Sequence, residues 1–228
     1  MKKMNLQGQS AMYRDPIIVC GVPRSRTSLT MQLLQISGLF LGKVSGVTKA
    51  NPYPPGQLEN VEIINKVVKP ELRANGYDPK GQYPIPPIDF YDLNQQKRQQ
   101  VLSIMKSQGL KEDQKWGIKL CKAVWNYRGW LGSFPNATWI IVRRKDEDIV
   151  KSCLSPKAAF MDKYNTPDGW RWWVNEHKKR FELIKQNCTA YELDTDAVIN
   201  KDFTQLKTVI KAVGLKWKPD KVEAQIKP

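Results

Sequence analysis

Three hydroxyl side chains and two arginines are concentrated in the segment Pro23–Ser28, which reads PRSRTS. The apolar residues 16–20 before it predict a buried strand, and the apolar spacing after it predicts a helix. A strand, a loop containing Gly21 and a helix present backbone N–H groups and the positive end of a helix dipole, and both bind phosphate. The segment therefore predicts a phosphate-binding loop. The alternative is a basic turn that only caps a helix.

The spacing does not fit a triphosphate-binding loop. In the pattern G-x-x-x-x-G-K-[ST], Gly21 fits the first glycine and Ser28 fits the hydroxyl residue. Arg26 replaces the second glycine, and Thr27 replaces the lysine that would reach the β and γ phosphates. A nucleotide or small-molecule kinase on the same scaffold is one alternative function, and it would require Mg²⁺ and turn over ATP.

Arg144 and Ser152 are a second group of candidate phosphate-binding side chains. Arg144 follows the apolar residues 138–142, which predict a buried strand, and the acidic residues 146–148 suit the start of a helix. An arginine fork and a hydroxyl recognise phosphate through charge-assisted hydrogen bonds. Strand alternation should point the neighbouring Arg143 the other way. Taken singly, Arg144 and Ser152 would be solvated surface residues.

The first loop resembles the 5′-phosphosulfate-binding loop of sulfotransferases that use 3′-phosphoadenosine 5′-phosphosulfate (PAPS), P-[KR]-S-G-T-[ST]. Five of the six positions match, in the arginine-bearing form of the Golgi and bacterial branch, and Arg26 stands where the family usually has glycine. Arg144 with Ser152 resembles the family's 3′-phosphate element. The stretches KANPYPPGQLENVEIIN and VGLKW also resemble bacterial members, so the resemblance spans roughly residues 16–217. The Arg-Lys-Gly element of cytosolic members is missing.

The resemblance implies an enzyme that transfers the sulfuryl group of PAPS to an acceptor hydroxyl, without a metal. Arg24 is then expected at the bridging oxygen, and Arg144 with Ser152 at the 3′-phosphate. The 5′-phosphate is expected to lie in the loop formed by Pro23, Arg24, Ser25, Arg26, Thr27 and Ser28. The acceptor is expected to be a carbohydrate or another small molecule. An anionic acceptor is also compatible with the positive charge of the chain.

Three further side chains are candidates for the chemistry at the acceptor. Glu59 matches a glutamate of the resembling stretch and is a candidate general base, although a glutamate in a first helical turn is stabilised by the dipole anyway. His177 is the only histidine and falls on an apolar helical stripe, where a buried imidazole is the alternative to a base. Lys119 lies within a predicted buried strand, so it contacts either the sulfonate or an internal carboxylate.

Adenine stacking lacks an obvious residue, because Leu29 stands where the cytosolic branch often has an aromatic side chain. The tryptophans could stack adenine or an acceptor ring, but most of them are expected in the core. The candidates for stacking are Trp125, Trp170, Trp172 and Trp173.

Strands and helices alternate along the chain, which predicts a single α/β domain with a mostly parallel sheet of about four or five strands, similar to the P-loop NTPases. We expect strands at 16–20, 116–121, 138–142 and 189–193, and helices at 94–108 and after Asp168, which is a candidate N-cap. The proline-rich stretches at about 42–58 and 77–93 are expected to be loops. Residues 1–14 and 219–228 are expected as tails around a domain of residues 15–218. The carboxyl ends of the strands should converge on one ligand site.

The chain carries 37 Lys and Arg against 22 Asp and Glu, a formal charge of +15, which attracts anionic partners. A basic nucleic-acid-binding protein is thus a second alternative, although no zinc-finger spacing or RNP-like pattern is present and no stable nucleic-acid partner is expected. The four cysteines form no C-x-x-C pair. No secretory signal or membrane span is apparent, so we expect a cytoplasmic protein.

Overall fold

A four-stranded parallel sheet forms the centre of the protein. The computed structural model describes residues 13–45, 58–81, 83, 95–155 and 165–226. The strands in these ranges are β1 (Ile17–Gly21), β2 (Gly117–Lys119), β3 (Thr138–Arg143) and β4 (Thr189–Asp194), in the order β2-β1-β3-β4. All three pairings are parallel. The predicted fold class is confirmed, and β2 is shorter than predicted because the backbone turns into a 3₁₀ helix at Cys121–Val124.

Helices connect and cover the strands. They are α1 (Thr27–Ile36), α2 (Val61–Ile63), α3 (Lys69–Ala74), α4 (Gln95–Ser107), α5 (Tyr127–Ser133), α6 (Asp146–Cys153), α7 (Pro167–Asn187), α8 (Thr195–Ile199), α9 (Thr204–Ala212) and α10 (Pro219–Gln225). A π-helical turn, Ile64–Val68, joins α2 to α3. Helix α10 lies within the stretch that we expected to be a C-terminal tail, and its Val222 is fully buried.

The sheet is buried on both faces, as its continuous apolar strands predict. In β1, Ile18 and Cys20 face one core together with α4, α5 and α7, while Ile17 and Val19 face a second core with α1, α9 and α10. Alternation of side chains along each strand produces this division. The two cores fix the strand ends, and hence the loops that follow them.

Successive strands are added on opposite sides of β1. The chain pairs β2 on one side of β1 and then places β3 on the other side. Parallel α/β sheets bind ligands outside the carboxyl ends of their strands at such a reversal. The loops after β1 and β3 lie at this point. A cavity of about 640 Å³ lies at the other end of the strands, near their amino ends, and is lined by Ile17, Trp116 and Thr138 among others.

The long helix α7 starts differently from our expectation. Thr166, rather than Asp168, is its N-cap, since the Thr166 hydroxyl accepts a hydrogen bond from Gly169 N at 3.0 Å and Pro167 occupies the first turn. The predicted apolar stripe is buried, from Trp170 to Ile184.

Some expectations concern residues beyond those described. Most of the proline-rich loops at 42–58 and 77–93, including NPYPPG, lie outside the described residues, as do residues 1–12. Among the helices of the described ranges, none is long and apolar enough to cross a bilayer.

Candidate functional site

The loop between β1 and α1 folds tightly back onto the sheet. A Cβ added to Gly21 would lie 2.7 Å from Ser25 Oγ and 2.9 Å from Val142 O, so this position requires glycine. Ser25 N donates to Val22 O at 3.0 Å, and the Ser25 side chain is fully buried. The first N–H groups of α1 have no partner within the helix and face the end of the loop. The strand, loop and helix are thus arranged as predicted, and phosphate binding by this loop stays a prediction.

Both arginines of the loop have left-handed backbone angles, with φ of 75° at Arg24 and 65° at Arg26. This conformation costs a residue other than glycine about 1–2 kcal/mol. Such strain concentrates at functional sites, where the surrounding structure enforces it. Two such residues in one loop therefore make the start of α1 a candidate anion-binding site.

The two predicted arginine anchors lie next to each other. Arg144 Nη1 donates to the carbonyl oxygen of Arg24 at 2.9 Å, and Arg24 Nε donates to Ser152 Oγ at 2.9 Å. Arg143 points away, over the Phe181 ring at 5.4 Å, as strand alternation predicts. The structure therefore joins the loop after β1 to the arginine after β3 and the serine of α6.

Positive charge is concentrated at this point. Burial, followed by the charge of Arg26, lowers the pKa of Arg144 from its ordinary value. Arg144 Nε is buried and has no hydrogen-bond partner among the described residues, and its Nη2 lies 3.9 Å from Asp148. An anion bound here would relieve the repulsion between the guanidinium groups. Within the described ranges, no group of three or more His, Cys, Asp or Glu side chains is arranged to hold a metal ion.

Lys119 joins the end of β2 to the same site. Its Nζ lies 3.4 Å from Ser28 Oγ and 3.7 Å from a carboxylate oxygen of Glu59, and its side chain is 7% exposed. The internal carboxylate is thus the partner that the structure shows for Lys119, and the contact with the sulfonate stays a prediction. Thr27 is buried, and its hydroxyl accepts a hydrogen bond from Cys121 Sγ at 3.7 Å. We therefore expect Thr27 to contact the 5′-phosphate through its backbone N–H and not through its hydroxyl.

His177 lies in the core, away from the arginine anchors. It is 1% exposed, its ring lies 4.2 Å from that of Trp125 and 4.3 Å from that of Trp173, and Nδ1 donates to the Trp173 carbonyl oxygen. Burial lowers its pKa to about 3. A buried neutral imidazole cannot reach an acceptor, so His177 does not serve as the general base. Trp125, Trp170 and Trp173 are also core residues, and Trp172 is exposed.

The buried imidazole predicts a pH-dependent stability. The unfolded chain binds a proton at the ordinary histidine pKa of 6.5, whereas the folded protein does so only at about 3. The contribution of His177 is thus complete above about pH 6.5 and falls by about 1.4 kcal/mol per pH unit below it. Urea unfolding of the native protein and of His177→Phe between about pH 7 and pH 5 measures this difference. Parallel loss of stability in both proteins would contradict it.

Two residues of the site were not predicted from the sequence. Thr195 and Asp196 follow β4 at the same edge of the sheet. The Thr195 hydroxyl donates to Arg143 O at 2.8 Å and lies 3.2 Å from Ser25 O, and Asp196 forms an ion pair with Arg26. Their signal was their position directly after a predicted strand, where the rule of converging strand ends also applies.

The fold is one that sulfotransferases adopt. The chain superposes on sulfotransferase STF9 from Mycobacterium avium with a TM-score of 0.58 and 13% sequence identity, over 93% of this chain and 67% of that one. It superposes on sulfotransferase STF1 from Mycobacterium tuberculosis H37Rv with a TM-score of 0.50 and 12% identity, over 95% of this chain and 71% of that one. No protein-family model and no curated protein sequence matches the chain. At these identities the likeness concerns the fold.

Proposed function

We propose that the protein transfers the sulfuryl group of PAPS to an acceptor hydroxyl and releases adenosine 3′,5′-bisphosphate. The observation that carries the proposal is the junction of the two anchors, in which Arg144 donates to Arg24 O and Arg24 donates to Ser152. One nucleotide with phosphates at both ends of its ribose fits two adjacent cationic anchors, one on the phosphate-binding loop and one after β3. The sulfotransferase fold supports the same function.

The donor is bound by charge and by the loop backbone. The N–H groups of residues 26–28 and the Ser28 hydroxyl bind the 5′-phosphate at the start of α1, since Ser25 N already donates to Val22 O. Arg144 and Ser152 bind the 3′-phosphate, which a guanidinium fork and a hydroxyl recognise through charge-assisted hydrogen bonds. This second contact distinguishes the donor from ATP, which has no phosphate at that position.

The reaction exchanges one sulfur–oxygen bond for another. The acceptor oxygen attacks sulfur in line with the bridging oxygen of the 5′-phosphate, the bond to the bridging oxygen breaks, and its electron pair stays on the leaving phosphate. Arg24 stabilises the charge that develops on that oxygen. Lys119, which lies beside Ser28, contacts the sulfonate oxygens. The acceptor is a carbohydrate or another small molecule with a hydroxyl.

Glu59 accepts the proton of the acceptor hydroxyl in this scheme. Its carboxylate lies 3.7 Å from Lys119, which itself contacts the loop that binds the donor. A base at this place makes kcat/KM fall at acidic pH, because the carboxylate must be ionised. In Glu59→Gln the slower residual reaction should lose this acidic limb. Glu62→Gln is the matched control, since Glu62 lies three residues further along the chain, in α2, and pairs with Lys66 instead of Lys119. An unchanged acidic limb in Glu59→Gln would exclude the role.

Nucleotide selectivity tests the proposed function. We expect adenosine 3′,5′-bisphosphate to bind the native protein at least about tenfold more tightly than adenosine 5′-monophosphate, since one charge-assisted contact is worth about 1.5–3 kcal/mol. Calorimetry with both nucleotides, without added metal, measures the ratio. Equal affinities would contradict the proposal, and Mg²⁺-dependent turnover of ATP would favour a kinase instead. A screen of acceptors with labelled PAPS then identifies the substrate.

A further inference from the structure

Arg26 occupies a backbone conformation that its side chain disfavours. It is the N-cap of α1, with φ of 65° and ψ of 30°, in the left-handed region that glycine adopts without steric cost. Its carbonyl oxygen accepts the first hydrogen bond of α1, from Thr30 N at 3.2 Å. A change of φ at Arg26 would rotate the N–H groups before it relative to the helix. An interaction that holds this angle therefore also holds the loop.

Asp196 supplies such an interaction. The guanidinium of Arg26 pairs with Asp196 Oδ1, while Asp196 Oδ2 accepts from Lys145 N at 2.8 Å. Asp196 N in turn donates to Asp194 Oδ1 at 2.8 Å. Asp196 is thus held in place by two hydrogen bonds that do not involve Arg26, one from Lys145 N after β3 and one to Asp194 at the end of β4. Because it is rigidly held, it can hold the flexible Arg26 side chain in one place.

The charge state of Asp196 agrees with this role. Partial burial would raise the pKa of its carboxyl, but the hydrogen bonds from Arg26 and Lys145 N outweigh burial, and the pKa lies below its ordinary value. Asp196 is therefore ionised at neutral pH. The side chains of Arg26 and Asp196 are 26% and 17% exposed, so the pair is partly shielded from solvent.

We propose that Arg26 and Asp196 form a positioning clasp, which keeps the left-handed turn at residue 26 and so holds the loop in the form that receives the 5′-phosphate. This inference rests on the proposed function for its ligand. Arg26 acts through the backbone of the loop, because its guanidinium is engaged by Asp196. Thr195, whose hydroxyl lies 3.2 Å from Ser25 O, supports the same loop from the same turn.

A double-mutant cycle isolates the clasp from general effects on stability. Asp196→Ala removes the carboxylate that pairs with Arg26. Arg26→Gly removes the guanidinium, and glycine adopts the left-handed angle without an ion pair to hold it. The clasp predicts that Asp196→Ala raises the hydrogen-exchange rate of the Ser25 amide about tenfold when residue 26 is arginine. The same substitution should change little in the Arg26→Gly protein. Affinity for adenosine 3′,5′-bisphosphate should follow the same pattern, with about a tenfold loss only in the arginine background.

Two further variants serve as controls. Asp196→Asn keeps the shape of the side chain and should give a smaller change in the same direction, in case Asp196→Ala folds poorly. Asp146→Ala breaks another ion pair near the end of β3, 2.7 Å to Lys178, and should leave the Ser25 amide unchanged. Equal effects of Asp196→Ala in both backgrounds, or no effect in either, would overturn the clasp. Absence of nucleotide binding by the native protein would refute the proposed function, while the exchange rates in the free protein would still decide the clasp.

Discussion

Replacing Arg24 by alanine should lower the turnover of sulfuryl transfer by about a hundredfold to a thousandfold, because a guanidinium that stabilises charge on the leaving phosphate acts mainly in the transition state. The KM for PAPS should change much less than kcat. The fold should remain intact, since the Arg24 side chain is exposed and its known partner is the hydroxyl of Ser152. Steady-state kinetics with labelled PAPS measure kcat and KM, and circular dichroism checks the fold.

The backbone of Arg24 requires a matched control. With φ of 75°, the position carries the same strain for alanine as for arginine, whereas glycine removes it. Arg24→Gly and Arg24→Ala should therefore be equally inactive if the guanidinium matters, while Arg24→Lys should keep part of the activity through its charge. Recovery of turnover in Arg24→Gly would assign the effect to the backbone, and undiminished turnover in Arg24→Ala would refute the role in catalysis.

Replacing Arg144 by alanine should weaken the binding of adenosine 3′,5′-bisphosphate by about a hundredfold. The loss combines a charge-assisted contact with the 3′-phosphate, worth about 1.5–3 kcal/mol, and the hydrogen bond that Arg144 Nη1 donates to Arg24 O. Adenosine 5′-monophosphate should lose much less, since it lacks the 3′-phosphate. The preference for the bisphosphate, measured by calorimetry, should largely disappear.

Arg143 provides the control for Arg144. It is the neighbouring arginine of the same strand end, but its guanidinium lies over Phe181 and 3.7 Å from Glu192. Arg143→Ala removes the same charge from nearly the same place and should retain the preference for the bisphosphate. Equal losses in the two variants would indicate that only the general positive field binds the nucleotide.

The parts of the fold with strong local signals could be predicted from the sequence. Short apolar runs bounded by Gly21 and by Arg143 identify β1 and β3, because a strand buried on both faces needs continuous apolar residues. The meeting of Arg24 and Ser152 followed from the rule that carboxyl ends of parallel strands converge. The cap at Thr166 was also readable from the following proline, but we assigned it to Asp168.

Other features depend on tertiary contacts that no local pattern encodes. The ion pair of Arg26 with Asp196 requires both a left-handed angle at residue 26 and the placement of β4 beside β3. The role of His177 was left open by the sequence, because an apolar stripe does not say whether aromatic rings enclose the imidazole. The 3₁₀ helix that shortens β2 and the π-helical turn after α2 likewise had no sequence signal that we recognised.

The most direct test of the central claim is a crystal structure of the complex with adenosine 3′,5′-bisphosphate. We predict that the 5′-phosphate lies against the N–H groups of residues 26–28 and that the 3′-phosphate lies between Arg144 and Ser152. A nucleotide bound at the amino ends of the strands, in the cavity lined by Trp116 and Thr138, would contradict the account. So would a nucleotide that touches only one of the two arginine anchors.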